Sequence, residues 1–279
     1  MSNFDIQTKR LLELLGHNEE PLGIHYADAK PGGGFGPKPG VIFSREAEKA
    51  GTIDWQKADE TFSCIIGNIW LARKKRKPAF ISLEECGCMG GGFHTGMYSP
   101  YLEGNVAYVT TGFPGTPVEG ERYMCSFESM YAFMDDCAPR PAPKKYAIAK
   151  ALSLFAENEE PEIIVFFARP EVLCGLNVLC TYASGSHLVL VSPFGAGCTN
   201  IFNWPLTYLA RGEEKAVLGG FDPSARKYMK TDELTFAVPL SLYKKMLNSM
   251  EESALKRQKW QDVRKKAVKS CRTWGENCE

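Results

Sequence analysis

"EIIVFFARP", residues 162–170, is an unbroken apolar run closed by a proline. A run with no polar alternation predicts a strand buried on both faces, and so a sheet with layers packed on either side of it. Working outward, a helix is expected over 171–182, a strand over 187–192, and a glycine turn at "PFGAGC", 193–198. Upstream, "YAIAKALSLFAEN" (146–158) reads as an amphipathic helix and "PRPAPKK" (139–145) as a proline-rich connector.

The N-terminal part repeats the alternation. Apolar residues at helical spacing run from Phe4 to Leu15 and stop at Gly16. "PLGIHYAD" (21–28), "AFISL" (79–83) and "NVAYVTTG" (105–112) read as strands, with one helix over 59–77, "DETFSCIIGNIWLARKKRK", between the first two. "PGGGFGPKPG" (31–40) is a surface loop, and a lid if a site lies beneath it. From Pro239 to about Lys269 the chain reads as one or two helices. The fold class expected is α/β or α+β: one domain over 1–279, with two similar α/β halves (1–138 and 146–250), a mixed sheet, C-terminal helices and a helical tail at 251–279. An internal echo supports the halves. Laid over each other, 64–88 and 174–198 match Cys64 with Cys174, Ser82 with Ser192, Gly87 with Gly197 and Cys88 with Cys198.

The totals narrow the function classes. Of 279 residues, 44% are hydrophobic and 24% charged, which are ordinary globular values. Lys plus Arg equals Asp plus Glu at 33 each, so no global charge favours nucleic acid or a membrane surface. The basic run Arg73–Lys77 and the basic tail after Lys256 read as solvated helix faces, because no stacking aromatics interleave them. The N-terminus carries charges throughout, and no apolar run approaches the ~18–20 residues that span a bilayer. A cytoplasmic protein is expected, and there its ten cysteines should be free thiols or ligands.

The densest chemistry lies in "ECGCMGGGFHTGM", 85–97. Cys86 and Cys88 lack Cys-x-x-Cys spacing, but one intervening residue lets two sulfurs reach one soft metal or cluster iron. Gly87 and the glycines at 90–92 allow positive φ, so successive N–H groups could form an anion nest, and His94 could add a nitrogen ligand. A dinucleotide turn is disfavoured by the proline in "MYSPYLEG" and the missing helix. Cys198 follows a glycine turn and precedes a helix, whose N-terminus lowers a thiol pKa. Cys64, on the apolar face of its helix, reads alone as a core cysteine.

"CIIGNIWLAR" from Cys64, "CMGGGFHTG" from Cys88, and the blocks "PEIIVFFARPEVLCGLNVL", "GAGCTNIFNWPLTYLARGEE" and "DELTFAVPLSLYKKML" resemble, in order and spacing, the domain-of-unknown-function family 169. These are uncharacterised cysteine-containing proteins of archaea and anaerobic bacteria, and the resemblance covers about residues 10–250. It implies that Cys64, Cys88 and Cys198 stand where such proteins carry cysteine, and that they share a site. Two departures stand out. The family's late Gly-Cys-x-Gly-x-Arg element has no cysteine in "LGGFDPSARKYM" (218–229), although Arg226 remains, and Cys86 with the triple glycine is additional. The resemblance implies a fold and a residue set, not a reaction.

Three functional expectations follow. The first is a metal or iron–sulfur protein with Cys64, Cys88 and Cys198 as ligands, and Cys86 or His94 as a fourth. The second is a non-catalytic sensor or binder of a small-molecule ligand, with 31–40 as its lid. The third is an enzyme or carrier using one low-pKa cysteine, Cys88 or Cys198. Neither nucleic acid nor membrane is expected as a partner.

Overall fold

The apolar run at Ile163–Ala168 forms a strand whose six residues are all buried, inside a seven-stranded sheet. The computed structural model describes residues 3–98, 101–112 and 119–273. Its strands are β1 (Leu22–Ala27), β2 (Ala79–Ile81), β3 (Tyr146–Ala151), β4 (Ile163–Ala168), β5 (Leu190–Val191), β6 (Ala216–Gly219) and β7 (Leu234–Pro239). The helices are α1 (Asn3–Leu15), α2 (Arg45–Lys49), α3 (Trp55–Glu60), α4 (Ile65–Lys75), α5 (Met89–His94), α6 (Glu103–Thr110), α7 (Phe127–Asp136), α8 (Pro170–Ser184), α9 (Trp204–Ala210), α10 (Leu240–Ser249) and α11 (Gln258–Thr273). The sheet order is β2-β3-β1-β4-β7-β6-β5, and every pair is antiparallel except β5–β6. The mixed sheet with helices on its faces is an α/β or α+β arrangement.

Side-chain alternation along β4 divides the core in two. Ile164, Phe166 and Ala168 face a cluster with Leu11, Leu176 and Tyr243 from α1, α8 and α10. Ile163, Val165 and Phe167 face the other way, against Ile65, Ile66 and Ile69 of α4 and Ile201 and Phe202. Helix α8 begins with Pro170 in its first turn and ends at Gly185 in the left-handed region (φ +68), the usual start and stop chemistry. A third cluster, packed on β6 through Val217, gathers Phe43, Met89, Phe93, Val106, Met130 and Trp204. The helices of the two echoing segments, α4 and α8, therefore lie on opposite faces of the sheet.

Three segments differ from the sequence expectation. Residues 146–158 do not form a helix: 146–151 are β3, and only Leu152–Leu154 make a 3-10 turn. The alanines favour helix by a few tenths of a kcal/mol each, but pairing with both β1 and β2 buries all six residues and outweighs that bias. "NVAYVTTG" is not a strand but most of α6. The Glu48 carboxylate accepts the Glu103 and Gly104 N–H groups at 3.0 and 2.7 Å, fixing the helix start, and Val106 is buried in the third cluster. The helix expected over 59–77 is two, α3 and α4, with residues 61–64 between them. Arg73, in its basic run, is also no solvated side chain but a buried one. Among the described residues, no helix is long and apolar enough to cross a membrane.

Candidate functional site

The break between α3 and α4 places Cys64 at the N-cap of α4, half-buried against the apolar cluster of Ile65, Ile66 and Ile69. Cys88 is the N-cap of α5, and its sulfur accepts the Gly91 N–H at 3.3 Å. One backbone bond ties the two starts together: the Ser63 N–H donates to the Gly87 carbonyl at 2.9 Å. Gly87 sits at φ +66, and a Cβ there would stand 3.0 Å from the Ser63 backbone nitrogen, so the turn requires glycine. Residues 90–92 do not form a nest of positive φ; they are helical, and at Gly91 and Gly92 the small size serves packing. A Cβ on Gly91 would meet Ile65 at 2.3 Å, and one on Gly92 would meet Tyr98 at 2.0 Å.

Cys198 is positioned by a second turn. The Gly197 N–H donates to Asp222 Oδ2 at 3.1 Å, while Asp222 Oδ1 accepts from the Ser224 N–H and hydroxyl at 2.9 and 2.8 Å. Arg226 knits the loop behind Asp222 by donating to the carbonyls of Gly220, Lys230, Thr231 and Glu233 at 2.6–3.2 Å. From Cys198 the chain enters a π-helical turn, Thr199–Asn203, that runs on into α9. Such turns recur at functional sites.

Cys64, Cys88, Cys198 and His94 line one cavity of about 820 Å³. Cys86 does not: it is buried among apolar side chains and donates its thiol to the Cys88 carbonyl at 3.1 Å. Cys174, partner of Cys64 in the sequence echo, is exposed on α8. None of residues 31–40 lines the cavity; the cover comes from the following segment, through Phe43, Trp55, Ala58 and Phe62. Sequence reasoning missed these, as it missed Asn105, Met130 and Phe133 from α6 and α7 and the acids Glu121 and Asp222. Their one sequence signal was the dense aromatic and methionine content of "SFESMYAFMDD", 126–136.

Burial dominates the electrostatics. It pushes the Cys88 and Cys198 thiols far above the ordinary range, and proximity to Cys64 raises both further. Cys64 is pushed up too; the N–H groups of Gly67 and Ile66 face its sulfur without a capping bond of normal geometry and offset burial only in part. Burial lifts Cys86 to about 11. All four are neutral thiols at neutral pH, so the low-pKa nucleophile of the third expectation finds no support here. Glu121, at the cavity wall, is pushed up to about 7 by burial and by Asp222.

His94 has a defined tautomer. Asn203 Nδ2 stands 3.2 Å from His94 Nδ1 and also donates to the Cys137 carbonyl, while Asn203 Oδ1 accepts from the Thr207 hydroxyl at 2.9 Å. The Cys137 carbonyl demands a donor on that side of the amide, so His94 Nδ1 accepts and Nε2 carries the hydrogen. Burial lowers the ring pKa to about 3. The ring therefore offers the cavity a donor, not a lone pair. Among the described residues, no group of three or more His, Cys, Asp or Glu is placed to hold a metal ion. The thiols share a cavity without forming a ready-made chelate.

No curated protein and no solved structure matches the chain. A family model does: DUF169, described as "Uncharacterised ArCR, COG2043", matches residues 10–249, a span that takes in all three cavity cysteines and the whole sheet. By that match the chain belongs to the DUF169 family.

Proposed function

We propose that this protein binds a small, mainly apolar organic molecule in the cavity, against a wall carrying the Cys64, Cys88 and Cys198 thiols. The observation that carries this reading is the cavity: about 820 Å³, walled chiefly by aromatic, methionine and isoleucine side chains with a few polar groups among them. Pockets for small organic ligands run to roughly 300–1,000 Å³ with that same balance. Thiols held neutral by burial are soft, polarizable wall, suited to contact more than to attack. Gly90 supplies the test, because it lines the cavity and a Cβ there meets no atom within 4 Å. A Gly90→Leu side chain should occupy cavity space without displacing a neighbour. Melting temperature and Trp55 fluorescence are measured against a panel of apolar ring compounds. The wild type should bind some of them and Gly90→Leu should bind them more weakly; a wild type that responds to none would end this reading.

A second reading is a soft-metal or iron–sulfur centre held by Cys64, Cys88 and Cys198, with Cys86 or His94 added. Its support is that the three cysteines of separate chain segments line one cavity. Such a centre requires the thiols to lose their protons and draw together, and His94 to change tautomer. Anoxic reconstitution with ferrous iron and sulfide should then leave stoichiometric iron and sulfide in the wild type and much less in Cys88→Ser. Protein that retains neither would remove it.

A further inference from the structure

Resting on the small-molecule reading above, we infer that the cavity takes a neutral molecule with a flat, unsaturated body and one hydrogen-bond-accepting carbonyl, whose oxygen is met by the side-chain amide of Asn105. Asn105 lies in the cavity wall, only 5% exposed, and its Nδ2 finds no hydrogen-bond partner. A buried amide donor left unmatched is costly, and a ligand acceptor in the adjoining cavity would match it. The side chains that α5 and α7 contribute to the same cavity are largely Met89, Met130, Phe133 and Met134, which offer no competing acceptor. His94, with its hydrogen on Nε2, adds a second donor to the cavity wall.

The charges decide between a neutral carbonyl and an anion. Among the described residues, the cavity is lined by Asp59, Glu121 and Asp222 but by one cation, Lys227. A carboxylate or phosphate would enter against that balance; a ketone, aldehyde, amide or thioester oxygen would not. The flat body follows from the aromatic residues that remain exposed. Phe62, Phe194 and Phe221 come from three separate loops, line the cavity, and are 57%, 45% and 57% exposed. Exposed phenylalanines gathered on one cavity mark a contact surface, and their ring faces suit stacking on a planar system.

The experiment uses two isosteric probes on the full chain: benzophenone, and 1,1-diphenylethene, in which a methylene replaces the carbonyl oxygen. Affinities are measured for wild type and Asn105→Leu, which has nearly the same shape and removes the unmatched donor. We expect the wild type to favour benzophenone about five- to tenfold, the scale of one hydrogen bond, and Asn105→Leu to reduce that preference to within about twofold. Illumination of bound benzophenone should couple it to the cavity methionines Met89, Met130 or Met134, read by peptide mass spectrometry, and this measurement needs no variant. Equal affinity of the wild type for both probes, an unchanged preference in Asn105→Leu, or coupling confined to residues outside the cavity would overturn the inference while leaving the small-molecule reading in place. Binding of neither probe would take both down together.

Discussion

Asn203 Nδ2 stands 3.2 Å from His94 Nδ1 and is held there by its second donation, to the Cys137 carbonyl. One amide in the π-helical turn thus sets the proton position on an imidazole of α5, across 109 positions of sequence. The consequence for the cavity is a fixed donor on His94 and a lone pair kept turned away.

Replacing that amide should move the proton. In Asn203→Asp the carboxylate accepts where the amide donated, so His94 should carry its hydrogen on Nδ1 and its pKa should rise from about 3. The Cys137 carbonyl loses its donor as well, and the expected loss of stability is about 1–3 kcal/mol. Nitrogen-15 shifts of the imidazole report the tautomer directly. An Nδ1–H ring in the wild type would refute the assignment, and an Nε2–H ring in both proteins would show that Asn203 does not set it.

Thiol labelling should run against the usual expectation for a cysteine site. Cys125 and Cys174 are exposed, whereas Cys88 and Cys198 sit in a cavity that keeps them protonated. Limiting alkylation near pH 7, read by peptide mass spectrometry, should mark Cys125 and Cys174 first and Cys88 and Cys198 much later. Early labelling of Cys88 or Cys198 would restore the reactive-cysteine reading.

What could be read from sequence divides along the distance over which each signal acts. The strand at 162–170 was legible because six buried residues in a row have no other economical packing. β3 was not, because nothing local distinguishes "YAIAKA" in a helix from the same residues clamped between two strands. α6 was hidden for the converse reason: its capping carboxylate, Glu48, lies 55 positions away from the N–H it receives. At the site, the residues alone left Cys64 a core cysteine; the family resemblance implied a site shared with Cys88 and Cys198, and all three line one cavity in the fold. Asn105, Glu121 and Phe194 reach the same cavity from a helix and two loops whose sequences carry no motif.

The basic run 73–77 should prove unequal in its energetics. The Arg73 guanidinium donates to both Glu19 and Glu233 and lies 3.9 Å from the Phe167 ring centroid, on the buried face of α4. Glu233 is itself 3% exposed, and Arg73→Ala would leave its carboxylate with Lys230 alone, through the Nζ ion pair at 3.1 Å and the backbone N–H at 3.2 Å; a cost of about 1–3 kcal/mol is expected. Arg73→Lys should recover only part, since an ammonium cannot fork to two carboxylates. Lys74→Ala and Lys75→Ala should stay within ~0.5 kcal/mol. Urea unfolding of the four variants decides it, and equal effects along the run would return it to a solvated face.

Glu121 should give the fold a stability that declines with pH. Its folded pKa, about 7, lies above the ordinary carboxyl value of 4.5. Below 4.5 the carboxyl is protonated in both states and costs nothing. Between 4.5 and about 7 the unfolded chain releases the proton while the folded chain retains it, so stability falls across that window and levels off above it. Burial and Asp222 raise the Glu121 pKa, and burial and Glu121 in turn raise those of the neighbouring Tyr108 and Tyr123. His17, His25 and His94, with pKa values lowered by burial, contribute the opposite slope as pH falls below 6.5, so the wild-type profile alone does not isolate the carboxyl. The difference profile does. Glu121→Gln keeps the shape and removes the titration; relative to wild type it should gain stability steadily from pH 4.5 to 7 and hold that gain above. Parallel urea midpoints for the two proteins across the range would mean that Glu121 meets the same surroundings folded and unfolded.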